Sequence, residues 1–453
     1  MNDSPADGTV VGAPAQHGTA KRHLTFAVVA AAAFGLYWFS SFILQARSAT
    51  TYFGADTWFY ALLAEGNVFE RIAGNYHLDR VARFHPTTVA MAAAWMEFLK
   101  PLTYWITPQH LLKAMFAAVG AVGVWAATSA FAAVIPHRYA TLCGVIYATS
   151  FGVWYFSSIE ESKIVTASLS ALYIAVYLQL RDRWSGRRAV LLTVILLLAC
   201  LNEIVSGFLI VIPIVDTLVR RGWDWRHGRW IAAHGLAGPI AFVIIEVTNS
   251  RLVATVAHPE GVSHFGMLIF YVSKNDYNAA SLYSFVVNWL FFNIAAPTPH
   301  VSHAVAAWPT YKGYFEPALA NYFFSPVSAG LVAVLGMMIV ASMLPRYCAA
   351  GNLGGRYDIL VPLMAYTLLR GAFFFIFNPP EPLLFSPAVT LAHLLMISIP
   401  FTASSFPAKR TLLATFAALL FVTNGAFIIG RYVGGAYPPP SAEPSPLIQY
   451  PPK

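Results

Sequence analysis

Apolar residues run in long blocks along this chain, near 24–45, 86–104, 110–135, 138–157, 163–180, 189–219, 229–247, 326–344, 357–377, 385–402 and 411–430, with short polar turns between them. A helix crosses a bilayer with roughly 20 apolar residues, so the pattern predicts an all-α, polytopic membrane protein of about 11–13 transmembrane or re-entrant helices. The block at 189–219 is long enough for two short helices. A shorter apolar piece near 283–297 is placed to lie along the membrane or dip into it.

The polar segments divide the chain. Residues 1–22 are rich in Gly, Ala and Pro and predict a disordered cytoplasmic N-terminus, and 435–453 form a proline-rich tail. Between them lie a membrane module, 23–220, with an outer loop at 46–85, and a second module, 221–434, with a long outer stretch at 248–325. No internal repeat is visible, which weighs against an inverted-repeat transporter.

Composition reinforces the choice of solvent. Of 453 residues, 58% are hydrophobic and 11% charged, a balance that excludes a water-exposed globular fold. The net charge of +8 would suggest nucleic acid in a soluble protein, but no basic block with interleaved aromatics is present, and nucleic acid is excluded as a partner. Here Lys and Arg in short loops orient helices. Cys143, Cys200 and Cys348 suit neither a disulfide framework nor a zinc site. The first block follows Lys21 and Arg22 and is too long for a signal-peptide core, so it reads as a retained helix.

Basic residues give an orientation. Lys21 and Arg22 place the N-terminus in the cytoplasm, and Arg181, Arg183, Arg187 and Arg188, then Arg220, Arg221, Arg226 and Arg229, then Arg346 and Arg356, then Lys409 and Arg410 mark later cytoplasmic turns. This parity requires 86–157 to make only two crossings, using kinked or half-length pieces around Pro101, Pro108 and Pro136. It also makes 189–219 a hairpin turning at Asn202 and Glu203, and it puts Glu160 and Glu161 outside. The C-terminus is then periplasmic if the source is bacterial, as low Lys relative to Arg and abundant Ala suggest, in the inner membrane.

Candidate chemistry gathers on the outer side. The first loop carries Asp56 in an aromatic setting, where it could bind a metal or accept a proton from an acceptor hydroxyl. Arg83 and His85 downstream are placed to meet an anionic head group. The turn SSIEESK offers Glu160, Glu161 and Lys163, which either cap the next helix or complete a site facing Asp56. Asn202 and Glu203 interrupt an apolar run, where an ionisable group is a functional hypothesis unless it sits at a hairpin tip. Arg370 lies within an apolar helix, to snorkel or pair with a lipid phosphate, and Glu381 follows it at the outer surface. His258, His264, His300 and His303 in the long outer stretch show no metal-ligand spacing. No phosphate-binding glycine loop, GxSxG or paired-Cys motif occurs, which argues against nucleotide-driven pumping.

Several of these features together resemble the C-type (GT-C) glycosyltransferase superfamily, polytopic enzymes that take sugars from polyprenyl-phosphate carriers. They are the early acid Asp56 after a first helix, the Phe84-His85-Pro86 step into the next, the turn Ser157 to Ile174 of the form SSxxESxxxxxxxxxLYI, and more loosely NPPEPLLFSP from Asn378 to Pro387. The step carries one proline where the family pattern has two, and the second turn has Glu-Ser where many members have Arg and Asp. The resemblance implies a membrane glycosyltransferase moving a sugar from a polyprenyl-phosphate carrier to a glycan, lipid or protein acceptor. It assigns Asp56 and Glu161 as catalytic acids and His85 as a phosphate contact, with Arg83, Glu160, Lys163, Asn202, Glu203, Arg370 and Glu381 around the substrate. The carrier phosphate would be held with or without a divalent cation, Mg or Mn, at Asp56. A transporter or flippase for a lipid-linked or amphipathic solute, and an inactive scaffold of the same fold, remain the alternatives.

Overall fold

The computed structural model describes residues 16–45, 60, 62–64, 85–182, 186–222, 225–252, 272–273, 275, 277–296, 304–305, 312–314, 319–343, 358–379 and 381–433. The protein is an all-α polytopic membrane protein. Eight of its described helices are long and apolar enough to cross a bilayer. Its helices are α1 (Gln16–Gln45), α2 (Pro86–Phe98), α3 (Pro108–Val134), α4 (His137–Thr149), α5 (Phe151–Ser157), α6 (Lys163–Leu180), α7 (Gly186–Asn202), α8 (Val211–Arg221), α9 (Trp225–Gly235), α10 (Ala237–Leu252), α11 (Ala279–Val286), α12 (Pro326–Met343), α13 (Leu360–Phe377), α14 (Pro382–Phe385), α15 (Thr390–Ala403) and α16 (Lys409–Val433). Strands β1 (Ala304–Val305) and β2 (Lys312–Tyr314) pair antiparallel, with Ala304 opposite Tyr314.

Small residues bring the central helices together. On α3, a Cβ on Gly120 would fall 2.1 Å from the Ser157 hydroxyl, and one on Gly123 would fall 2.5 Å from that of Ser168. Close approach of this kind is how helices pack when lipid supplies no hydrophobic drive between them. It seats α3 against α1, α5 and α6. The Ser168 hydroxyl also donates to the Val119 carbonyl (2.8 Å), so α3 and α6 are stapled side by side.

Ring contacts fix helix directions. Phe42 near the end of α1 lies 4.7 Å from His110 at the start of α3, while Phe26 near the start of α1 stacks on His137 at 5.3 Å. α1 and α3 are therefore antiparallel. α4 and α5 then run back as one broken helix, the Tyr37 hydroxyl reaching the Ala148 carbonyl (2.7 Å) and Trp154 reaching Ser40 (2.8 Å). α2 does not cross. Its start is tied to Asn202 and its Trp95 indole donates to the Leu111 carbonyl (2.7 Å), so both of its ends sit at the end of the bundle where α3 begins. The stretch 86–157 thus makes two passes along the bundle axis, with α2 as the half-length piece.

The break between α4 and α5 has a definite cause. Ser150 is extended (φ −61°, ψ 136°), which deprives the following amides of helical partners. Phe151 N–H and Gly152 N–H donate instead to the carbonyls of Ile294 (2.9 Å) and Asn293 (2.8 Å). Residues 279–296 are α11, a π-helical turn at Val287–Phe292 and an irregular end that begins as a turn, and they enter the bundle interior. Asn424 of α16 closes the junction, donating to Thr149 O (2.7 Å) and Ile294 O (3.0 Å) and accepting from Ala296 N–H (2.8 Å). Irregular backbone survives at membrane depth only where protein groups satisfy it. Gly152 is required here, since a Cβ would sit 2.2 Å from Asn293 Oδ1. The sequence left 283–297 to lie along the membrane or dip into it, and the chain takes the second course.

The two ends of α6 define the two ends of the bundle. Its 18 residues span about 27 Å at ~1.5 Å per residue, close to the bilayer's hydrocarbon thickness of ~30 Å. Beyond one end, Arg181 pairs with Asp358 (2.8 Å) and Asp216 (3.5 Å), Arg220 joins Asp358 (3.0 Å) and Asp182 (2.5 Å), and the Tyr177 hydroxyl donates to Asp216 (2.5 Å). This cluster locks α6, α8 and α13 together. Both α1 and α16 begin near the same end, beside His137 and Tyr139. α1 starts at Gln16, ahead of the block expected from 24.

Replacing Asn424 by Ala removes three hydrogen bonds and takes the partner from the Thr149 carbonyl and the Ala296 amide, while the Ile294 carbonyl keeps the Phe151 amide, at a cost of roughly 1–3 kcal/mol for each orphaned group. The variant is expected to lower the thermal midpoint of the detergent-solubilised protein by several degrees. A midpoint equal to that of the parent would show that Asn424 does not hold the re-entrant segment.

Candidate functional site

At the other end of α6, charged side chains meet inside the bundle. α7 rises to Asn202 and the chain turns through a 3-10 segment, Ile204–Ile210, into α8. This hairpin delivers Glu203 between two cations. Arg370 Nη2, from α13, contacts Glu203 Oε2 at 2.5 Å, and Lys163 Nζ, from the first turn of α6, lies 3.8 Å from Oε1. All three side chains are buried. Arg370 is 0% exposed, so it neither snorkels nor faces lipid, and its partner is Glu203.

Aromatic rings complete a closed circuit. Lys163 Nζ sits 4.6 Å from the centroid of Phe385 and Arg370 sits 5.0 Å from that of Phe374, while the two rings stack at 4.0 Å. Each cation thus has a carboxylate oxygen on one side and a π face on another, which lessens the cost of burying it. Among the described residues, two cations against one carboxylate leave one surplus positive charge. Also among the described residues, Arg370 Nε and Nη1, Glu203 Oε1 and the hydroxyls of Ser206 and Thr367 are buried without hydrogen-bond partners.

Asn202 and His85 frame the triad. The Asn202 side chain accepts from Thr88 N–H (3.2 Å) and Thr88 Oγ1 (2.6 Å) and donates to Ser162 O (3.1 Å) and Thr166 Oγ1 (2.8 Å), joining α2, α6 and α7 at one atom group. His85 Nδ1–H donates to the Asn202 carbonyl at 2.5 Å. That bond fixes the proton on Nδ1 and leaves Nε2 as acceptor when neutral or donor when charged. Pro86 opens α2 directly after it, so the imidazole is set at a helix start by a residue that needs no amide partner.

The acids of the second turn lie nearby and are equally buried. Glu160 pairs with Lys113 of α3 (3.7 Å). Burial pushes the Glu160 carboxyl above the ordinary carboxylate range, against the opposing pull of the Lys113 ammonium. Glu161 Oε1 accepts from the Ser162 amide (2.9 Å) and hydroxyl (3.0 Å). Glu381 is engaged with Asn378, whose side-chain amide donates to it at 2.5 Å just before α14.

Of the residues expected from sequence, the fold brings His85, Lys163, Asn202, Glu203 and Arg370 together, with Glu160 and Glu161 in the turn preceding Lys163. Asp56 and Arg83 lie outside the described residues. Lys113, Phe374 and Phe385 were missed, although a lysine inside the apolar block 110–135 is itself the signal that an ionisable group in a spanning helix provides. Among the described residues no group of three or more His, Cys, Asp or Glu could hold a metal ion. Glu203 and Glu160 are each already matched to a cation, so these donors do not form a cation site. No protein-family model and no curated protein matches the chain.

The triad generates a stability test. Glu203→Gln alone leaves Lys163 and Arg370 in the interior without their carboxylate and is expected to cost roughly 3–5 kcal/mol. Combining it with Arg370→Met removes one of the two uncompensated cations and should recover part of that loss, read as thermal or denaturant unfolding in detergent. Additive losses in the double variant would show that the two side chains are not coupled.

Proposed function

We propose that the chain is a membrane glycosyltransferase that moves a sugar from a polyprenyl-phosphate carrier to an envelope glycan, lipid or protein acceptor. The observation that carries this reading is the surplus positive charge, among the described residues, at Lys163, Arg370 and Glu203, with two guanidinium nitrogens of Arg370 without partners among those residues inside an apolar bundle. An interior of this kind favours an anionic group that supplies one negative charge and several acceptor oxygens. A phosphodiester at the head of a lipid does both.

The reaction breaks the bond from the anomeric carbon to the carrier phosphate oxygen and forms a bond from that carbon to an acceptor oxygen. Arg370 and Lys163, with His85 Nε2 when protonated, would stabilise negative charge as it develops on the departing phosphate. The acceptor proton passes to a carboxylate, for which Asp56 and Glu161 are the candidates. Because the carrier supplies activation, no nucleotide-binding fold is required. The positive-inside tendency of Arg181, Arg187, Arg188, Arg220 and Lys409 sets their end of the bundle in the cytoplasm and the triad toward the outer face, which in a bacterium is the periplasmic side of the inner membrane. Both termini of the described chain then follow, N-terminus inside and C-terminus outside.

One feature favours a transporter for the same class of lipid. Tyr173 Oη and Thr193 Oγ1 lie 2.7 and 3.0 Å from the two ring nitrogens of His234, and this buried group sits between the two ends of α6. The irregular segment 279–296 inside the bundle is also a feature transporters share.

Transfer from a radiolabelled polyprenyl-phosphate sugar in membranes containing the protein separates the two. The parent should pass label to an acceptor fraction, and Arg370→Met, which leaves Lys163 and Glu203 as a neutral pair and is compared at equal folded yield, should lose roughly 100-fold or more, as loss of a donor to developing negative charge does elsewhere. Full activity in that variant sinks the site. Movement of the labelled lipid across the bilayer without transfer favours the transporter.

A further inference from the structure

Residues 97–107, Glu-Phe-Leu-Lys-Pro-Leu-Thr-Tyr-Trp-Ile-Thr, are unlike the remainder of the bundle. They follow α2 and carry Phe98, Tyr104 and Trp105 at 80%, 82% and 80% exposure, with Leu102 also exposed. Phe98 and the adjoining Tyr104 and Trp105, at ~150–250 Å² each, expose apolar area on the order of 500 Å², toward the upper end of the largest patch a soluble surface leaves in water. Something covers it.

The segment is structured rather than loose. Leu99 N–H donates to Trp95 O (2.9 Å), Leu102 N–H to Leu99 O (2.8 Å), and Trp105 and Ile106 N–H to Leu102 O (2.9 and 3.0 Å). Thr103 Oγ1 caps Lys100 O (2.7 Å), Tyr104 and Trp105 pack edge to face at 4.9 Å, and Glu97 and Lys100 pair at 3.6 Å. The Trp95 indole pins it to Leu111 at the start of α3. The aromatics are held outward by a closed set of local hydrogen bonds.

We propose that this segment is an interfacial collar that inserts into the boundary between lipid head groups and acyl chains, and that it thereby sets the depth at which α2 holds His85. Lipid is the occupant for three reasons. The collar is continuous with α3, a spanning helix that begins at Pro108, and with Phe39 and Phe42, exposed on α1, the second of which contacts His110. Tyr and Trp beside a lysine are the side chains that settle at this depth, apolar body inward and polar tip outward. The only two charges in the segment, Glu97 and Lys100, neutralise each other, so it offers no net charge for a protein partner to read. α2 is then a strut of 13 residues, about 20 Å at ~1.5 Å per residue, with the collar at one end and His85 on the Asn202 carbonyl at the other.

The test uses the full chain in lipid nanodiscs, where both faces are open to water. A nitrobenzoxadiazole label is placed at Trp105→Cys, and separately at Tyr104→Cys, in a Cys348→Ser background, Cys143 and Cys200 being buried. The expected result is blue-shifted emission, with quenching by phospholipid carrying a nitroxide at acyl carbon 5 exceeding quenching by aqueous iodide several-fold at both positions. Iodide quenching equal to that of a free water-exposed label overturns the proposal. Protection from both quenchers also overturns it, since that result means the patch is covered by protein.

Discussion

The Glu203 carboxylate, buried between Lys163 and Arg370, is the interaction on which the arrangement of this end of the bundle depends. Moving an isolated charge out of water is far too unfavourable for any of the three to be buried alone. Together they oblige α6, the α7–α8 hairpin and α13 to converge, because each helix contributes one member. The stacked pair Phe374 and Phe385 then has a reason to exist, as the apolar floor on which both cations rest. A second ionic cluster, Arg181, Asp216, Arg220 and Asp358, imposes the same convergence on α6, α8 and α13 at the far end. α6 and α13 are therefore fastened twice, at points about 27 Å apart along α6 and about 18 Å apart along α13 at ~1.5 Å per residue, and little freedom remains in their mutual register.

A different constraint governs the middle. There the chain abandons helix at Ser150 and again at residues 287–296, and every backbone group so released must find a partner without water. The solution is mutual. The carbonyls freed at Asn293 and Ile294 accept from the amides freed at Phe151 and Gly152, and one side chain, Asn424, serves both breaks. Two irregularities that would each be costly alone are thus compatible as a pair. The π-helical turn just before this junction places Trp289 against Gly371, the residue next to Arg370, so the re-entrant segment also walls the charged site.

The number of apolar blocks, the hairpin at Asn202 and the need for kinked or half-length pieces within 86–157 were legible because hydropathy and the parity of basic loops constrain them directly, although which piece falls short was not. His85, Lys163, Asn202, Glu203 and Arg370 could each be suspected singly, since a polar residue in an apolar run stands out. Their meeting could not be read. His85 and Arg370 are far apart in the chain, and nothing in a single sequence couples Glu203 to Arg370 over a separation of 167 residues. Phe374 and Phe385 were invisible for the opposite reason, being two among 33 phenylalanines whose role depends on what they face. The re-entrant course of 283–297 was ambiguous because its partners, Asn424 and the freed amides at 151–152, contribute no local signal.

The surplus charge decides how the candidate site is to be understood. A purely structural ion cluster inside a membrane protein has every reason to be neutral and fully hydrogen-bonded, as polar networks that are only half satisfied are worse than none. The Lys113–Glu160 pair meets the first of these conditions, one cation to one carboxylate. The Glu203 triad meets neither. Among the described residues it holds one cation more than it has carboxylates, and it leaves Arg370 Nε and Nη1 and the hydroxyls of Ser206 and Thr367 without hydrogen-bond partners, all of them groups that can donate to an oxyanion. The two neighbouring buried ion clusters therefore differ among the described residues, one balanced and one not, and the unbalanced one both fastens α6, the α7–α8 hairpin and α13 and carries the donors on which the proposed phosphate contact rests.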